Sequence, residues 1–399
     1  MDFLTEIGRY DIVALVCIAV LFMYQLYFLI RYMAGIRRRF RHKKYHRFRW
    51  KEVSDASVAS TTEAANRPGV SVVICAKNEG DNLRDYLQAV LSQDYPLFEV
   101  IVVNDGSEDN TSLVLEHYLH LYPNLRLTFV PQHAIVKSTK KLALTLAAKA
   151  ATYDYLLLTD ADCVPQSCHW ISEMMEGFAD KNTEIVLGYS GYFVENRLVN
   201  RFIQYETLTT AMLYLGSAMS RHPYMGVGRN LAYRKDLFFR NGGFSGMLHE
   251  RAGDDDLLIN RLSTAKNTEV VVSRNSIVWS VPKRSFKEWL TQKRRHLSVS
   301  HAYHTSTKLR LTIEPLSRGL WYILLIGIAV MCSIGILKPV VAIVAATLFV
   351  IRLLLQIIII SHTAHLLGTK GFGLSVLLFD IFMPLMQLSM LAKKQNNKW

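Results

Sequence analysis

The chain has 399 residues, half of them apolar and a fifth charged, with a mean hydropathy of +0.15 and a formal net charge of +13. So much apolar surface excludes a disordered chain and sits poorly with an ordinary soluble enzyme. Five cysteines without paired metal-ligand spacing exclude a disulfide scaffold and a structural zinc site.

In chain order, Ile12 to Ile30 is a nearly unbroken apolar run of 19 residues. As a helix it is about 28 Å long, the thickness of a bilayer core. A cleaved leader should begin with basic residues, but Asp2, Glu6 and Asp11 precede this run. Residues 1–35 are therefore read as a transmembrane anchor in the inner or plasma membrane, with the chain after residue 31 in the cytoplasm. Ten Lys/Arg and no acid lie between Arg31 and Lys51. A nucleic-acid binder would spread such charge over a folded face, so no nucleic-acid partner is expected. A basic block directly after an apolar helix reads as a juxtamembrane segment at anionic headgroups. With the Ser, Thr and Ala-rich stretch after it, it forms a linker over 36–67.

From residue 68 to 283 the pattern changes. Apolar runs at Val70–Cys75, Val100–Val103, Leu125–Val130 and Tyr155–Leu158 predict buried strands. Amphipathic stretches at Asp81–Gln93, Leu113–Leu121 and Lys140–Ala151 predict the helices between them. Continuous apolar strands alternating with helices imply an α/β fold with a mostly parallel, Rossmann-like sheet covered on both faces. Residues 284–318 read as an amphipathic interfacial segment, carrying Phe286, Trp289, Leu290, Arg294, Arg295 and Leu297. Residues 319–399 contain three apolar runs, Gly319–Leu337, Pro339–Ile360 and Gly371–Leu391. Lys338 alone separates the first two, which predicts a helical hairpin. Four spans would place Lys393, Lys394 and Lys398 outside, against the positive-inside rule, so the last run is left open between a span and an interfacial or re-entrant helix. Arg352 and Asp380 are read as a structural ion pair between membrane helices.

Parallel sheets bind ligands at the carboxyl ends of their strands. Those ends carry Ala76, Lys77, Asn78 and Glu79, then Asn104, Asp105, Gly106 and Ser107, then Asp160 and Asp162. Alternate residues of an extended segment point to one side, so Asp160 and Asp162 can share a cation. Carboxylates plus substrate phosphates suit Mg2+ or Mn2+. Asp109 reads as a cap of the following helix.

These motifs, in order, resemble the family-two glycosyltransferases of GT-A fold. The matching stretches are Ser71–Glu79, Ile101–Ser107 and Thr159–Asp162, followed by the acidic Gly253-Asp254-Asp255-Asp256-Leu257 and by Gln292-Lys293-Arg294-Arg295-His296, over about residues 69–300. The resemblance implies a GT-A catalytic domain over 68–283 and an inverting hexosyltransferase. The donor would be a nucleotide-diphosphate sugar and the acceptor a membrane lipid or lipid-linked glycan. It implies nucleotide-sugar contacts at Ala76, Asn78, Glu79, Asp105 and Asp160, with Lys140 or Lys141 near the nucleotide, and a metal on Asp162 with Asp160 beside it. One of Asp254 and Asp255 would be the catalytic base, and Asp255 is favoured. Gln292 and Arg295 would serve the diphosphate and acceptor, with Arg229 and Asn230 as weaker candidates. His296 stands where the family has tryptophan. A processive synthase of the cellulose or hyaluronan type is the alternative within the class. An inactive nucleotide-binding membrane protein is the alternative outside it. A hydrolase carboxylate pair gives no role to Asn104 and Asp105.

Overall fold

A computed structural model describes residues 7–33, 35–36, 67–131, 136–248, 250 and 252–392. The basic block beyond Arg31, most of the 36–67 linker and the last lysines lie outside the described residues. The chain divides into two compact units, Gly35–His304 with Leu366–Thr369, and Met1–Ala34 with Thr305–His365 and Lys370–Trp399.

The first unit is built on ten strands: β1 (Val70–Ala76), β2 (Phe98–Asn104), β3 (Leu125–Phe129), β4 (Tyr155–Asp160), β5 (Cys163–Pro165), β6 (Ile185–Leu187), β7 (Ser190–Tyr192), β8 (Leu231–Arg234), β9 (Thr268–Val270) and β10 (Val278–Ser280). Seven form a sheet in the order β3-β2-β1-β4-β8-β6-β9. The half from β3 to β4 is parallel, as the apolar runs predicted, and β8 enters antiparallel to both β4 and β6. The remaining three form a small sheet in the order β5-β10-β7. Strands of three residues carry too little periodicity to be seen in the sequence.

Counting the long apolar helix α1 (Arg9–Phe28) first, the helices of this unit are α2 (Gly80–Leu91), α3 (Thr111–Leu121), α4 (Thr139–Ala150), α5 (Trp170–Met175), α6 (Leu198–Met219), α7 (Lys235–Arg240), α8 (Asp256–Leu262) and α9 (Phe286–Leu297). Val70, Val72 and Ile74 of β1 pack with Leu83, Leu87, Val90 and Leu91 of α2 and with Trp170 of α5 in one core. Each such side chain contributes about 1.5–3 kcal/mol on burial, so this core pins the strand ends that follow. Asp109 accepts from Thr111 N at 3.0 Å and from Gly80 N at 3.1 Å, tying the starts of α2 and α3 together.

The second unit holds α1, α10 (Thr305–Ser333), α11 (Pro339–Leu366) and α12 (Ser375–Ala392). Arg9–Tyr32, α10 and α11 are long and apolar enough to cross a membrane, whereas α12 has only a shorter apolar stretch, Ser375–Gln387. Helices α10 and α11 form the expected hairpin, turned at Gly335 (φ +76°). Residues 305–318, expected to belong to an interfacial segment, are instead the first turns of α10. The helix runs on through Pro315 into the apolar run, and Glu314 pairs with Arg318 one turn on. The buried Asp380 carboxylate accepts from Arg352 at 3.0 Å, from Tyr322 Oη at 2.6 Å and from Gln356 Nε2 at 2.7 Å. Arg352 also donates to Gln25 Oε1 at 3.0 Å, and Gln25 to Ser317 Oγ at 2.7 Å. The helical unit is thus joined through its centre by a connected polar network.

Candidate active site

The loops after β1 and β2 are cross-linked. Asp105 N donates to Ala76 O at 2.8 Å, and Asn78 N to Ser107 Oγ at 3.0 Å. Asn78 takes a left-handed backbone (φ +57°), and its Oδ1 accepts from Glu108 N at 2.8 Å. Gly106 (φ +63°) makes the matching turn on the other side. Asn78 is therefore a clamp between two strand ends. The Asp105 carboxylate is nearly buried beside it. Glu79 accepts from Asn82 Nδ2 at 2.6 Å, and burial pushes its carboxyl upward.

One strand over, Asp160, Asp162 and Cys163 offer three ligand atoms within 4.8 Å of one another. Burial, then the neighbouring Asp160, pushes the Asp162 carboxyl up. Two acids that crowd each other in this way fit a hard divalent cation. Cys163 Sγ lies 3.3 Å from Asp162 Oδ1, and Ser280 Oγ of β10 donates to Asp162 Oδ2 at 3.2 Å.

The acidic motif between β8 and α8 joins this cluster through a lysine. Lys140 Nζ lies 3.1 Å from Asp160 Oδ1 and 3.2 Å from Asp254 Oδ2. Lost solvation works against the ammonium, but Asp160, Asp254 and Asp255 hold it protonated, well above an ordinary lysine. Burial alone would raise Asp254, yet Lys140 holds it below the usual carboxylate range. Asp255 is tied down differently. Its oxygens accept from Gly228 N at 2.8 Å and Asp256 N at 2.7 Å, making it the N-cap of α8. Burial and then Asp254 push it up to about 6. Asp256 accepts from Tyr303 Oη at 2.6 Å, and burial and then Asp255 push it to about 7. Gly253 takes φ +84°, and a Cβ there would meet Leu257 at 2.8 Å, so the turn into the acidic motif requires glycine.

Of the two lysines left open by the sequence, only Lys140 reaches the acids. Lys141 Nζ is buried and donates to Met247 O and Glu250 O, both at 2.8 Å. Asn230 is also occupied within the fold, accepting from Trp170 Nε1 at 3.0 Å and donating to Tyr189 O and Ser276 O. Arg229 lies 4.4 Å over the Tyr192 ring, and its buried Nη1 has no hydrogen-bond partner among the described residues. Gln292 reaches the same tyrosine, its Nε2 donating to Tyr192 Oη at 3.4 Å. Helix α9 is seated by Trp289, fully buried against Phe202 and Phe286, and by Lys293 paired with Glu206 at 2.7 Å. Trp289, expected at a membrane surface, is a core anchor. His296 lies within electrostatic reach of Asp254 and Lys140, and both it and Arg295 beside it are exposed. Neither Tyr303 nor Tyr192 stands out in the sequence, since their partners lie 47 and 100 residues away along the chain.

Residues 71–250 match the model of Glycosyl transferase family 2. Over 120 residues, 30% of this chain and 28% of the relative, the chain is 32% identical to a poly-beta-1,6-N-acetyl-D-glucosamine synthase of Staphylococcus epidermidis. Over 232 residues, 57% of this chain and 54% of the relative, it is 25% identical to the probable glycosyltransferase YdaM of Bacillus subtilis. The matched segments thus span from about a quarter to about half of these curated relatives. The fold is shared with the mannosyltransferase PcManGT from Pyrobaculum calidifontis, solved in complex with GDP-Man and Mn2+. That likeness has a TM-score of 0.56 at 18% identity and covers 96% of this chain and all of that one.

Proposed function

With the chain placed among the family-two glycosyltransferases of GT-A fold, we propose that it moves one sugar, with inversion, from a nucleotide-diphosphate sugar to a membrane-associated or lipid-linked acceptor at the cytoplasmic face. The observation that carries this reading is Lys140 between Asp160 and Asp254, which joins the donor-side acids to the acidic motif in one site.

The clamped loops at Ala76, Asn78 and Asp105 hold the nucleotide. Asp160 and Asp162 hold a divalent cation, Mg2+ or Mn2+, which when bound supplies positive charge to the diphosphate leaving group. Arg229, half-buried beside these acids, adds a fixed positive charge, and Arg295 adds an exposed one. Asp254 takes the proton of the acceptor hydroxyl as the anomeric C–O bond forms and the bond to the diphosphate breaks. Asp254 replaces Asp255 as the preferred base because both Asp255 oxygens are engaged by backbone N–H groups. Asp255 holds the turn that presents its neighbour.

Single transfer is favoured over chain growth because the polar groups of the helical unit converge on one another around Asp380, not on an open lumen. The similarity to a poly-N-acetylglucosamine synthase supports the processive reading as the second choice. The test is release of nucleoside diphosphate by the full chain in nanodiscs, given nucleotide sugars, Mn2+ and membrane lipids. Asp162→Ala should reduce release at least about a hundredfold and abolish its metal dependence. An unchanged rate in that variant refutes the site, and long glycan products refute single transfer.

A further inference from the structure

Beside the cation site lies a group of aromatic rings that the mechanism does not use. Tyr86 of α2 and Phe193, just after β7, have ring centroids 6.1 Å apart with planes inclined by 30°. Phe193 and Trp279 of β10 are 6.4 Å apart with planes inclined by 25°. Near-parallel rings in van der Waals contact at such centroid distances must be displaced sideways, so each leaves part of its face uncovered. All three residues are half-buried, none fully. Three consecutive rings, each inclined by 25–30° to the next, make a ledge.

The ledge has a fixed seat. A Cβ at Gly191 would lie 2.6 Å from the Trp279 ring, so only glycine in β7 lets the indole take this place. Trp279 Nε1 donates to Gln166 Oε1 at 2.9 Å, which sets the orientation of the ring. Its position relative to the chemistry is also fixed. Tyr86 lies within electrostatic reach of Asp162, whose carboxylate accepts from Ser280 on the opposite face of β10 from Trp279. In the sheet order, the proposed nucleotide loops follow β1 and β2, Asp162 follows β4, and the ledge is carried largely by the small sheet that β5 begins just after Asp162. A nucleotide sugar laid across the strand ends, base first, would have its sugar end toward the ledge.

We propose that Tyr86, Phe193 and Trp279 form a glycan-binding ledge that stacks the pyranose rings of the acceptor. This rests on the transferase reading above. The C–H face of a pyranose is apolar and slightly positive, and the face of an aromatic ring is slightly negative, so the two stack. The polar groups on the ledge, Gln166 and the Tyr86 hydroxyl, suit a ligand that carries hydroxyls around an apolar face. An acyl chain would have no use for them.

The test is direct binding, independent of turnover. Tetrasaccharides of glucose, N-acetylglucosamine and mannose are titrated into the full chain in nanodiscs. Contact is read by saturation-transfer NMR and affinity by competition. At least one should receive saturation at the C–H groups of its ring faces. Trp279→Ala should weaken that glycan by about tenfold, and Trp279→Phe should restore most of the loss. Phe193→Leu keeps the apolar volume without the π face and should weaken it by a similar factor. The proposal is overturned if no tetrasaccharide binds the parent chain, or if Trp279→Ala and Phe193→Leu bind as tightly as the parent. Metal-dependent release of nucleoside diphosphate, measured on the same preparation, reports separately on the transferase reading.

Discussion

Replacing Lys140 by glutamine removes the cation that bridges Asp160 and Asp254, at 3.1 and 3.2 Å, while keeping a side chain of similar length. Unit charges about 3.2 Å apart attract by about 5 kcal/mol at an effective dielectric of ~20, and by about 1.3 kcal/mol in bulk water. The Lys140 side chain is 42% exposed, so screening favours the lower part of that range. A value of about 2 kcal/mol corresponds to about 1.5 pKa units. The sign follows from which form the lysine favours. It stabilises ionised Asp254, so its loss raises the Asp254 pKa, and the base is protonated over a wider range of acid pH. The acidic limb of kcat/KM for sugar transfer should therefore move up by about 1–2 pH units in Lys140→Gln. Lys140→Arg should keep the limb near its original place. The assay is the initial rate of nucleoside diphosphate release at saturating metal, from about pH 3 to 7, the range that brackets a carboxylate held below its ordinary value. A limb displaced by less than about 0.3 unit in an active Lys140→Gln enzyme refutes either the bridge or the assignment of Asp254 as base.

Asp254→Asn should lower turnover by about three orders of magnitude with little change in donor affinity. Asp255→Ala should instead lower thermal stability, by about 1–2 kcal/mol, because it removes the cap of α8 and the acceptor for Gly228 N. Calorimetry and kinetics on the two variants separate the roles. Tyr303→Phe removes the hydroxyl that donates to Asp256, at a cost of about 1.5–3 kcal/mol where that carboxylate is charged. The folded state raises the Asp256 pKa to about 7, so folding takes up a proton between roughly pH 4 and 7 and this group's contribution to stability falls as pH rises through that window. The Tyr303→Phe deficit in thermal unfolding should accordingly be larger at about pH 8 than at about pH 5. Asp380→Asn should lower the unfolding temperature of the detergent-solubilised chain, because Arg352 and Arg318 lose their shared counter-charge. Breaking such a buried pair costs about 3–5 kcal/mol.

The parallel half of the sheet was legible in the sequence because its central strands, β1, β2 and β4, are buried on both faces. Val70–Ala76 is apolar almost throughout, and so is Phe98–Asn104 after Glu99. The small sheet was not legible, since Cys163–Pro165 and Val278–Ser280 are too short to show a period and are held by pairing over more than a hundred residues. The acids at the strand ends were legible for a related reason. Any one polar residue after a buried strand can be a local clamp or cap, as Asn78 and Asp109 are, but acids at three neighbouring strand ends together point to a ligand. Lys140 and Lys141 look alike in sequence, and only the turn of α4 sends one to Asp160 and the other to two backbone carbonyls. Asp254 and Asp255 were ambiguous in the same way, as successive residues before a helix, until the N-cap geometry used one of them.

The same physical reasoning connects the two ends of the site. Asp160, Asp162, Asp254, Asp255 and Asp256 put five carboxyl groups in and beside one site, an arrangement that opposes folding unless something offsets it. Tyr303 and the α8 cap hold two of them, and burial pushes both toward the protonated form. Lys140 serves two more, and Asp162 retains a raised carboxyl near half-buried Arg229. The charge left uncompensated therefore concentrates at the end of β4, where a divalent cation would be stabilised most. An acidic motif kept only for structure would gain by exchanging one aspartate for asparagine at that end. Keeping both Asp160 and Asp162, with the lysine shared between Asp160 and Asp254, costs stability that the proposed cation and phosphate binding would offset.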